Sequence, residues 1–237
     1  MLVVDNFSEK GLGHTLEFAY SKNVIITGQI ANSEGKSLEA EIILTDKKGA
    51  TVLETKSDAK GTYKITTDIK EDQNYYLSYV SDSTFVETKT INTKELTNGN
   101  TFPPIKTVLH KLKKGEKYKL GNIYFYGDVA TLLPSSYSSV ESLYKLMKKN
   151  KKLVIQIEGH VNDPDYSGKD KKLVVFNQTL SEERAITIFN YLKSKGISES
   201  RMTHIGLSNK FPVYRSPKTE SEQEANRRVE IKVVSME

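Results

Sequence analysis

Turn residues recur at short intervals in the first part of the chain, and this spacing constrains its fold more than any other feature. Between about residues 22 and 95, apolar runs alternate with turns rich in Gly, Asp and Asn. Strands this short, with turns about every 8–12 residues, are typical of a β-sandwich. The predicted strands are Val24–Ile30, Ala40–Leu44, Thr51–Thr55, Thr62–Ile65 and Tyr75–Val80.

The apolar period changes after about residue 121. Apolar residues at helical spacing follow Pro134 and Ser135, and a second helical run follows Ser181 and stops at Gly196. The predicted strands around these helices are Asn122–Tyr126, Leu153–Ile157, Met202–Gly206 and Val229–Val234. This βαβαββ order predicts an α/β sandwich with its helices on one face of a mixed sheet, so the whole chain is expected to be α+β.

These patterns divide the chain into four parts. We expect an N-terminal segment over 1–21, the β-sandwich over 22–95, a linker over 96–117 and the α/β domain over 118–237. Asn98-Gly99-Asn100 and Pro103-Pro104 interrupt regular structure in the linker. The lysines between 111 and 119 are interpreted as a solvated strand or hairpin.

Composition argues against several classes of protein. The chain has 237 residues, of which 37% are hydrophobic and 27% charged, and it has no cysteine. Disulfides, cysteine-ligated zinc and thiol catalysis are therefore excluded within this sequence. The four histidines show no metal-binding spacing, and no Ser/His/acid arrangement is visible, so we expect neither a metal, a cofactor nor an enzyme. No apolar run approaches the ~20 residues of a membrane span, and Met1–Val4 does not open a signal peptide.

The net charge of +5 makes a polyanionic partner plausible. The lysines are widely spread, however, and no aromatic-interleaved basic motif for RNA is present. We therefore expect no nucleic acid, whereas a mild positive charge suits anionic cell-wall polymer.

Two sets of motifs carry resemblances to known families. The run from Gly28-Gln29-Ile30 to Asp58–Ile65 resembles the carboxypeptidase-regulatory-like sandwich, which implies a spacer or adaptor without chemistry. The second half resembles the OmpA-like C-terminal domain, which binds the peptide stem of peptidoglycan through its diaminopimelate residue. The motifs that carry this second resemblance are Ile157–His160, Asn177–Ala185, Tyr191-Leu192 with Gly196-Ile197 and Arg201-Met202, and Ala225–Ile231.

The OmpA resemblance implies a set of ligand-binding residues. Arg184 matches the cation for the ligand carboxylate, with Asn177 before it and Arg227 facing the site from the start of the last strand. Asn162 stands where the family has an Asp that meets the ligand ammonium, and Asp163 is a candidate replacement. An amide still accepts a hydrogen bond but brings no charge.

Some of these residues also have a purely structural interpretation. Ser181 is expected to cap the second helix, which places Arg184 in its first turn beside free backbone N–H donors. Taken without the motif, Arg184 would pair with a neighbouring Glu on a solvated face. His160, Asn226 and Arg228 are expected to serve structure, and the stretch from Asp163 to Lys172 is either a rim for the site or a tolerated insertion.

The resemblance predicts a non-enzymatic cell-wall anchor. We expect it in the periplasm of a Gram-negative bacterium, associated with the outer membrane and bound to diaminopimelate-type peptidoglycan. The alternative is a scaffold or adaptor subunit of an envelope secretion or motility machine, in which the β-sandwich binds protein partners.

Overall fold

The computed structural model describes residues 21–71, 73–97, 99–163 and 168–236, so the predicted N-terminal segment lies outside it apart from Ser21. The strands are β1 (Ser21–Asn32), β2 (Glu41–Thr45), β3 (Thr51–Lys56), β4 (Thr62–Lys70), β5 (Asn74–Val80), β6 (Glu87–Asn92), β7 (Ile105–Leu109), β8 (Lys117–Lys119), β9 (Val154–Gly159), β10 (Met202–Gly206) and β11 (Val229–Ser235). The α-helices are α1 (Tyr137–Lys149), α2 (Lys171–Ser194) and α3 (Glu220–Asn226). None of the described helices is both long and apolar enough to span a membrane.

Two sheets form the first part of the molecule. One has the order β4-β1-β7 and the other β3-β2-β5-β6. Alternate residues of β1 point into the space between them, so Val24, Ile26 and Ile30 are fully buried, together with Leu44 and Leu77 of the second sheet. This alternation is what a strand with one core face requires. The all-β prediction for this region is confirmed, and its resemblance to the carboxypeptidase-regulatory-like sandwich stays a prediction.

The predicted linker, 96–117, contributes a strand to the sandwich. β7 runs parallel to β1, with Gly28 opposite Ile105 and Asn32 opposite Leu109. Thr107 and Leu109 of β7 are buried, so this strand closes one edge of the core.

The second part of the molecule is a mixed sheet packed against α1 and α2. Its order is β10-β9-β11-β8, in which β9 and β10 are parallel and β11 is antiparallel to both of its neighbours. Ile155, Ile157 and Ile231 form one apolar core with Leu143 of α1 and Ile188 of α2. The α+β prediction is confirmed.

The predicted strand Asn122–Tyr126 is wrong. Asn122 has a left-handed backbone, with φ 53°, and the Tyr124 amide donates to the Ser136 hydroxyl rather than to a strand. β8 fills the predicted place of this strand by pairing with β11. A third helix, α3, lies between β10 and β11, and the sequence pattern did not predict it.

The predicted start of the second helix is wrong as well. α2 begins at Lys171, because the carboxylate of Asp170 accepts hydrogen bonds from the amides of Lys172 and Leu173. Ser181 lies inside the helix, where its hydroxyl donates to the Gln178 carbonyl at 2.9 Å. The helix ends before Gly196, as predicted, and that glycine has φ 90°.

A candidate ligand-binding cleft

A cleft of about 440 Å³ opens beside α2, and it contains most of the predicted site. Arg184, Asn177 and Leu180 of α2 line one wall, Asn162 and Val161 follow β9, and Arg227 follows α3. The remaining lining residues are Glu220 and Glu224 of α3 and Tyr124, Phe125, Gly127, Asp128 and Leu133 of the loop before α1. Asp163 is not among them.

Arg184 is a buried cation without an acid partner. Its side chain is 4% exposed, and it forms no ion pair with any described residue. Its Nε donates to the Val129 carbonyl at 3.4 Å, and its Cζ lies 5.0 Å from the centre of the Phe125 ring. Burial, and then the charge of Arg227, lower the pKa of Arg184 to about 10, and Asp128 acts in the opposite direction. The guanidinium is therefore still charged at neutral pH, with little of its charge neutralised.

The position of Arg184 along α2 differs from the prediction. It lies in the fourth turn of the helix rather than in the first turn, since α2 begins at Lys171. The backbone N–H groups around it are used within the helix and are not available to a ligand. The site therefore depends on the side chain alone.

Arg227 lies at the end of α3, and its guanidinium pairs with the Glu220 carboxylate. About a third of its side chain is exposed. The second arginine of the cleft is therefore already neutralised, in contrast to Arg184.

Asn162 is held in place by other amides. Its Oδ1 accepts a hydrogen bond from Asn226 Nδ2 at 2.8 Å, and its Nδ2 lies 3.4 Å from Gln223 Oε1. Asn226 is itself buried and also bonds both backbone groups of Tyr214. The structural role predicted for Asn226 is therefore confirmed, and the acceptor atom of Asn162 is in use.

Asn177 and Asp163 form a buried pair. Asn177 Nδ2 donates to Asp163 Oδ2 at 2.7 Å, and the two side chains are 5% and 8% exposed. The Asp163 carbonyl accepts from Asn209 Nδ2 at 2.5 Å. This pair ties the start of α2 to the end of β9, and the Asp163 carboxylate turns toward Asn177 instead of the cleft.

Sequence reasoning missed the residues that the loop before α1 contributes. Asp128 has a left-handed backbone with φ 52°, and Phe125 covers the Arg184 guanidinium. The signal available was the Gly127-Asp128 pair, which is typical of a turn. Because a strand was predicted through Tyr126, this turn was not predicted.

His160, Glu158 and Glu230 form a second polar cluster behind the cleft. Their ligand-type atoms all lie within 4.8 Å of one another. Lys117 Nζ lies 2.6 Å from the Glu158 carboxylate, and Arg228 Nε donates to Glu230 at 2.6 Å. Both carboxylates therefore have a cation, and His160, which is 1% exposed, lies 3.6 Å from Glu230. The structural interpretation of Arg228 agrees with this geometry, whereas neither ring nitrogen of His160 forms a hydrogen bond with a described residue.

The region that builds the cleft matches a family model. The OmpA family model covers residues 124–227, a range that contains α1, α2, α3 and every residue of the cleft. Residues 124–227 form an OmpA-family domain. All the motifs that predicted the cleft fall inside this OmpA-like domain except the last residues of the Ala225–Ile231 run.

Individual relatives support the same assignment. The chain is 34% identical over 124 residues to outer membrane protein A of Buchnera aphidicola subsp. Schizaphis graminum, covering 48% of this chain and 34% of that protein. It is 28% identical over 145 residues to a peptidoglycan-associated lipoprotein of Buchnera aphidicola subsp. Baizongia pistaciae, covering 61% of this chain and 76% of that protein. The chain spans about a third of the length of the outer-membrane relatives that it matches.

Solved structures that are similar to this chain include the cell wall anchor of the T6SS from Pseudomonas aeruginosa. It is 23% identical and covers 51% of this chain and 80% of that chain, with a TM-score of 0.40. The assignment of residues 124–227 to the OmpA family rests on the sequence matches and not on this structural similarity.

Proposed function

We propose that the OmpA-like domain binds the peptide stem of peptidoglycan without covalent chemistry and anchors a cell-envelope protein or complex to the wall. The observation that carries the proposal is the buried, unpaired guanidinium of Arg184 at the wall of the cleft. A buried charge is costly unless it is paired, so a site of this kind favours a ligand that brings the missing anion. One of the relatives is named as a peptidoglycan-associated lipoprotein, which agrees with a wall ligand.

The chemistry of the cleft narrows the ligand to a free amino-acid group. Arg184 can hold a carboxylate through two parallel N–H donors. The cleft is also lined by carboxylates, Asp128, Glu220 and Glu224, which favour an ammonium close to that carboxylate. Diaminopimelate ends in both groups on one carbon, whereas a lysine in the same stem position has the ammonium without the carboxylate. We therefore propose a preference for the diaminopimelate type of stem.

The test is co-sedimentation of the full chain with purified diaminopimelate-type sacculi. We expect Arg184→Ala to abolish binding and Arg184→Lys to weaken it strongly, because lysine cannot supply the two-donor fork. Lys152→Ala is the matched control, since it removes one positive charge from an exposed residue that does not line the cleft. Full binding by Arg184→Ala would show that Arg184 does not hold the ligand, and equal loss in Lys152→Ala would show that simple charge attraction holds the protein to the wall.

Titration with soluble peptides tests the preference. The diaminopimelate-containing tripeptide should bind the full chain, and the lysine tripeptide should bind at least about tenfold more weakly, since it leaves the Arg184 charge unpaired. Equal affinities would contradict the preference for diaminopimelate.

The alternative role, in which the sandwich docks protein partners, stays a prediction. The outer positions of β4, such as Thr62, Lys64 and Thr66, are exposed, so the β4-β1-β7 sheet has a free polar face. Pull-down with the full chain and with a variant of this face would identify such a partner.

A further inference from the structure

The cleft has to bind an ammonium as well as a carboxylate, and neither residue predicted for the ammonium is free. Asn162 has no charge, and its oxygen already accepts from Asn226 at 2.8 Å. Asp163 accepts from the buried Asn177 at 2.7 Å and does not line the cleft. The acceptor must therefore come from another wall, and this inference rests on the proposed function.

Three carboxylates line the cleft, and they differ in what they already contact. Glu220 pairs with Arg227. Asp128 and Glu224 are exposed and form no ion pair with any described residue. Of these two, Asp128 interacts with the Arg184 charge and raises its pKa against the effect of burial, whereas Glu224 acts on Tyr124. Asp128 also lines the cleft and directly precedes Val129, whose carbonyl accepts a hydrogen bond from Arg184 Nε at 3.4 Å, so of the two free acids it is the one joined in the chain to a residue that Arg184 contacts.

The loop that carries Asp128 is fixed to the helix that carries Arg184. Phe125 and Leu132 form a β-bridge across the base of the loop, and the Tyr126 amide donates to the Thr131 carbonyl at 3.0 Å. From α2, Thr187 Oγ1 donates to the Ala130 carbonyl at 2.8 Å, and Arg184 Nε donates to the Val129 carbonyl. Asp128 directly precedes Val129 and Ala130, so its backbone is held relative to Arg184 before any ligand arrives.

We propose that Asp128 supplies the acceptor for the ligand ammonium and takes over the role that the family assigns to the position of Asn162. Arg184 and Asp128 then hold the two charged groups on one ligand carbon. Asn162 stands where the family has an Asp, and this difference does not remove the ammonium site but moves it from the end of β9 to the loop before α1.

The test combines one substitution in the protein with one in the ligand. The ligands are a stem tripeptide with diaminopimelate and the same tripeptide with 2-aminopimelate, which keeps the distal carboxylate and lacks the distal ammonium. The unmodified full chain should prefer the first by about 10-fold or more, the value of a charge-assisted hydrogen bond. In Asp128→Asn this preference should fall to about twofold or less, with the affinity for the 2-aminopimelate peptide nearly unchanged.

Two matched variants separate the possible outcomes. Asn tolerates the left-handed backbone of residue 128 as well as Asp does, so Asp128→Asn should fold normally, which its thermal midpoint checks. Glu224→Gln removes the other free carboxylate of the cleft and should keep the preference. Loss of the preference in Glu224→Gln, or its retention in Asp128→Asn, would overturn the assignment.

Failure of this inference and failure of the proposed function look different. If the unmodified chain binds both peptides equally and Arg184→Ala binds neither, the carboxylate site stands and the Asp128 assignment is wrong. If the unmodified chain binds neither peptide, the proposed function itself is wrong and the assignment falls with it.

Discussion

Buried charges in the OmpA-like domain are of two kinds. Glu158 and Arg228 are 3% and 6% exposed, and each has a partner of opposite charge at 2.6 Å. Arg184 is buried to the same degree but has no acid within bonding distance among the described residues. Since an unpaired buried charge costs stability, its retention at the wall of a cleft is the feature that most favours a ligand over a purely structural role.

The ion pairs of Glu230 predict how the stability of the fold depends on pH. His160, and next Arg228, hold the pKa of Glu230 down to about 2, from its usual 4.5. The His160 contact with Glu230, at 3.6 Å, is longer than a hydrogen bond. We therefore attribute the low pKa of Glu230 mainly to Arg228, which is positively charged and donates to this carboxylate at 2.6 Å. Because the folded pKa lies below the unfolded one, Glu230 stabilises the fold above about pH 4.5, and this contribution is lost as the pH falls toward 2.

Glu230→Gln should therefore lower the free energy of unfolding by about 2 kcal/mol at pH 7, and the difference from the unmodified chain should shrink by pH 3. Urea unfolding at both pH values measures this. Glu199→Gln removes one partner of the exposed Lys193–Glu199 pair and should change stability by at most about 0.5 kcal/mol. A Glu230→Gln difference that does not depend on pH would contradict the predicted titration.

At the scale of elements, the path of α2 over the sheet decides the geometry of the cleft. Gly159 ends β9 and Gly206 ends β10, and the two are paired across the sheet. A β-carbon at Gly159 would overlap the Ser181 carbonyl, and one at Gly206 would overlap the Glu182 amide. The helix therefore lies directly on the strand ends, and the Ser208 amide donates to the Ser181 hydroxyl at 2.9 Å. This close approach turns Asn177, Leu180 and Arg184 toward the cleft.

Gly159→Ala should destabilise the fold by about 1–3 kcal/mol, because the added methyl group meets helix backbone that cannot move by a change of rotamer. It should also weaken binding to sacculi by displacing Arg184. Gly121→Ala is the matched control, since nothing lies within 4 Å of its β-carbon position and its φ is not in the left-handed range. Equal urea midpoints for the two variants would show that the helix does not depend on this contact.

Two elements of the OmpA-like domain differ from the sequence-based predictions. Ser181, followed by two glutamates, has the local pattern of a helix start, and only its contact with Ser208 shows why a serine is needed inside the helix. The strand predicted over Asn122–Tyr126 has the right composition, but Tyr118 of β8 takes the place beside β11 instead. Local patterns cannot choose between two segments that compete for one sheet edge.

At the scale of the whole molecule, α1 packs between the two parts of the chain. Its inner face contacts the mixed sheet, and residues of the β3-β2-β5-β6 sheet, Ile43 and Val80, join the same apolar cluster as Val140. Lys145 pairs with Glu54 at 2.7 Å, and Lys149 pairs with Glu41 and Asp82 at 3.0 and 3.1 Å. Along β2 and β5, both faces of that sheet are therefore buried, one by the sandwich core and one by α1.

This packing predicts that the two parts stabilise each other. Val80→Asp should lower the free energy of unfolding of the full chain by several kcal/mol, since it places an unpaired charge in a fully buried site beside α1. Val52→Asp makes the same change at an exposed position of the same sheet and should cost less than about 1 kcal/mol. Urea unfolding followed by circular dichroism compares them, and equal midpoints would mean that the interface contributes little.

The amino-acid sequence predicted the α+β class, five of the seven sandwich strands, the end of α2 before Gly196 and the presence of Arg184, Asn177 and Arg227 in one cleft. Those features are encoded locally, through alternation of apolar residues, turn chemistry and short motifs. Contacts between distant segments engage Asn162 with Asn226 and Asp163 with Asn177, and they leave Asp128 without an ion pair to a described residue in the cleft that Arg184 lines. The physical reason is that hydrogen bonding between distant segments determines which polar groups remain available to a ligand, and no local pattern records those partners.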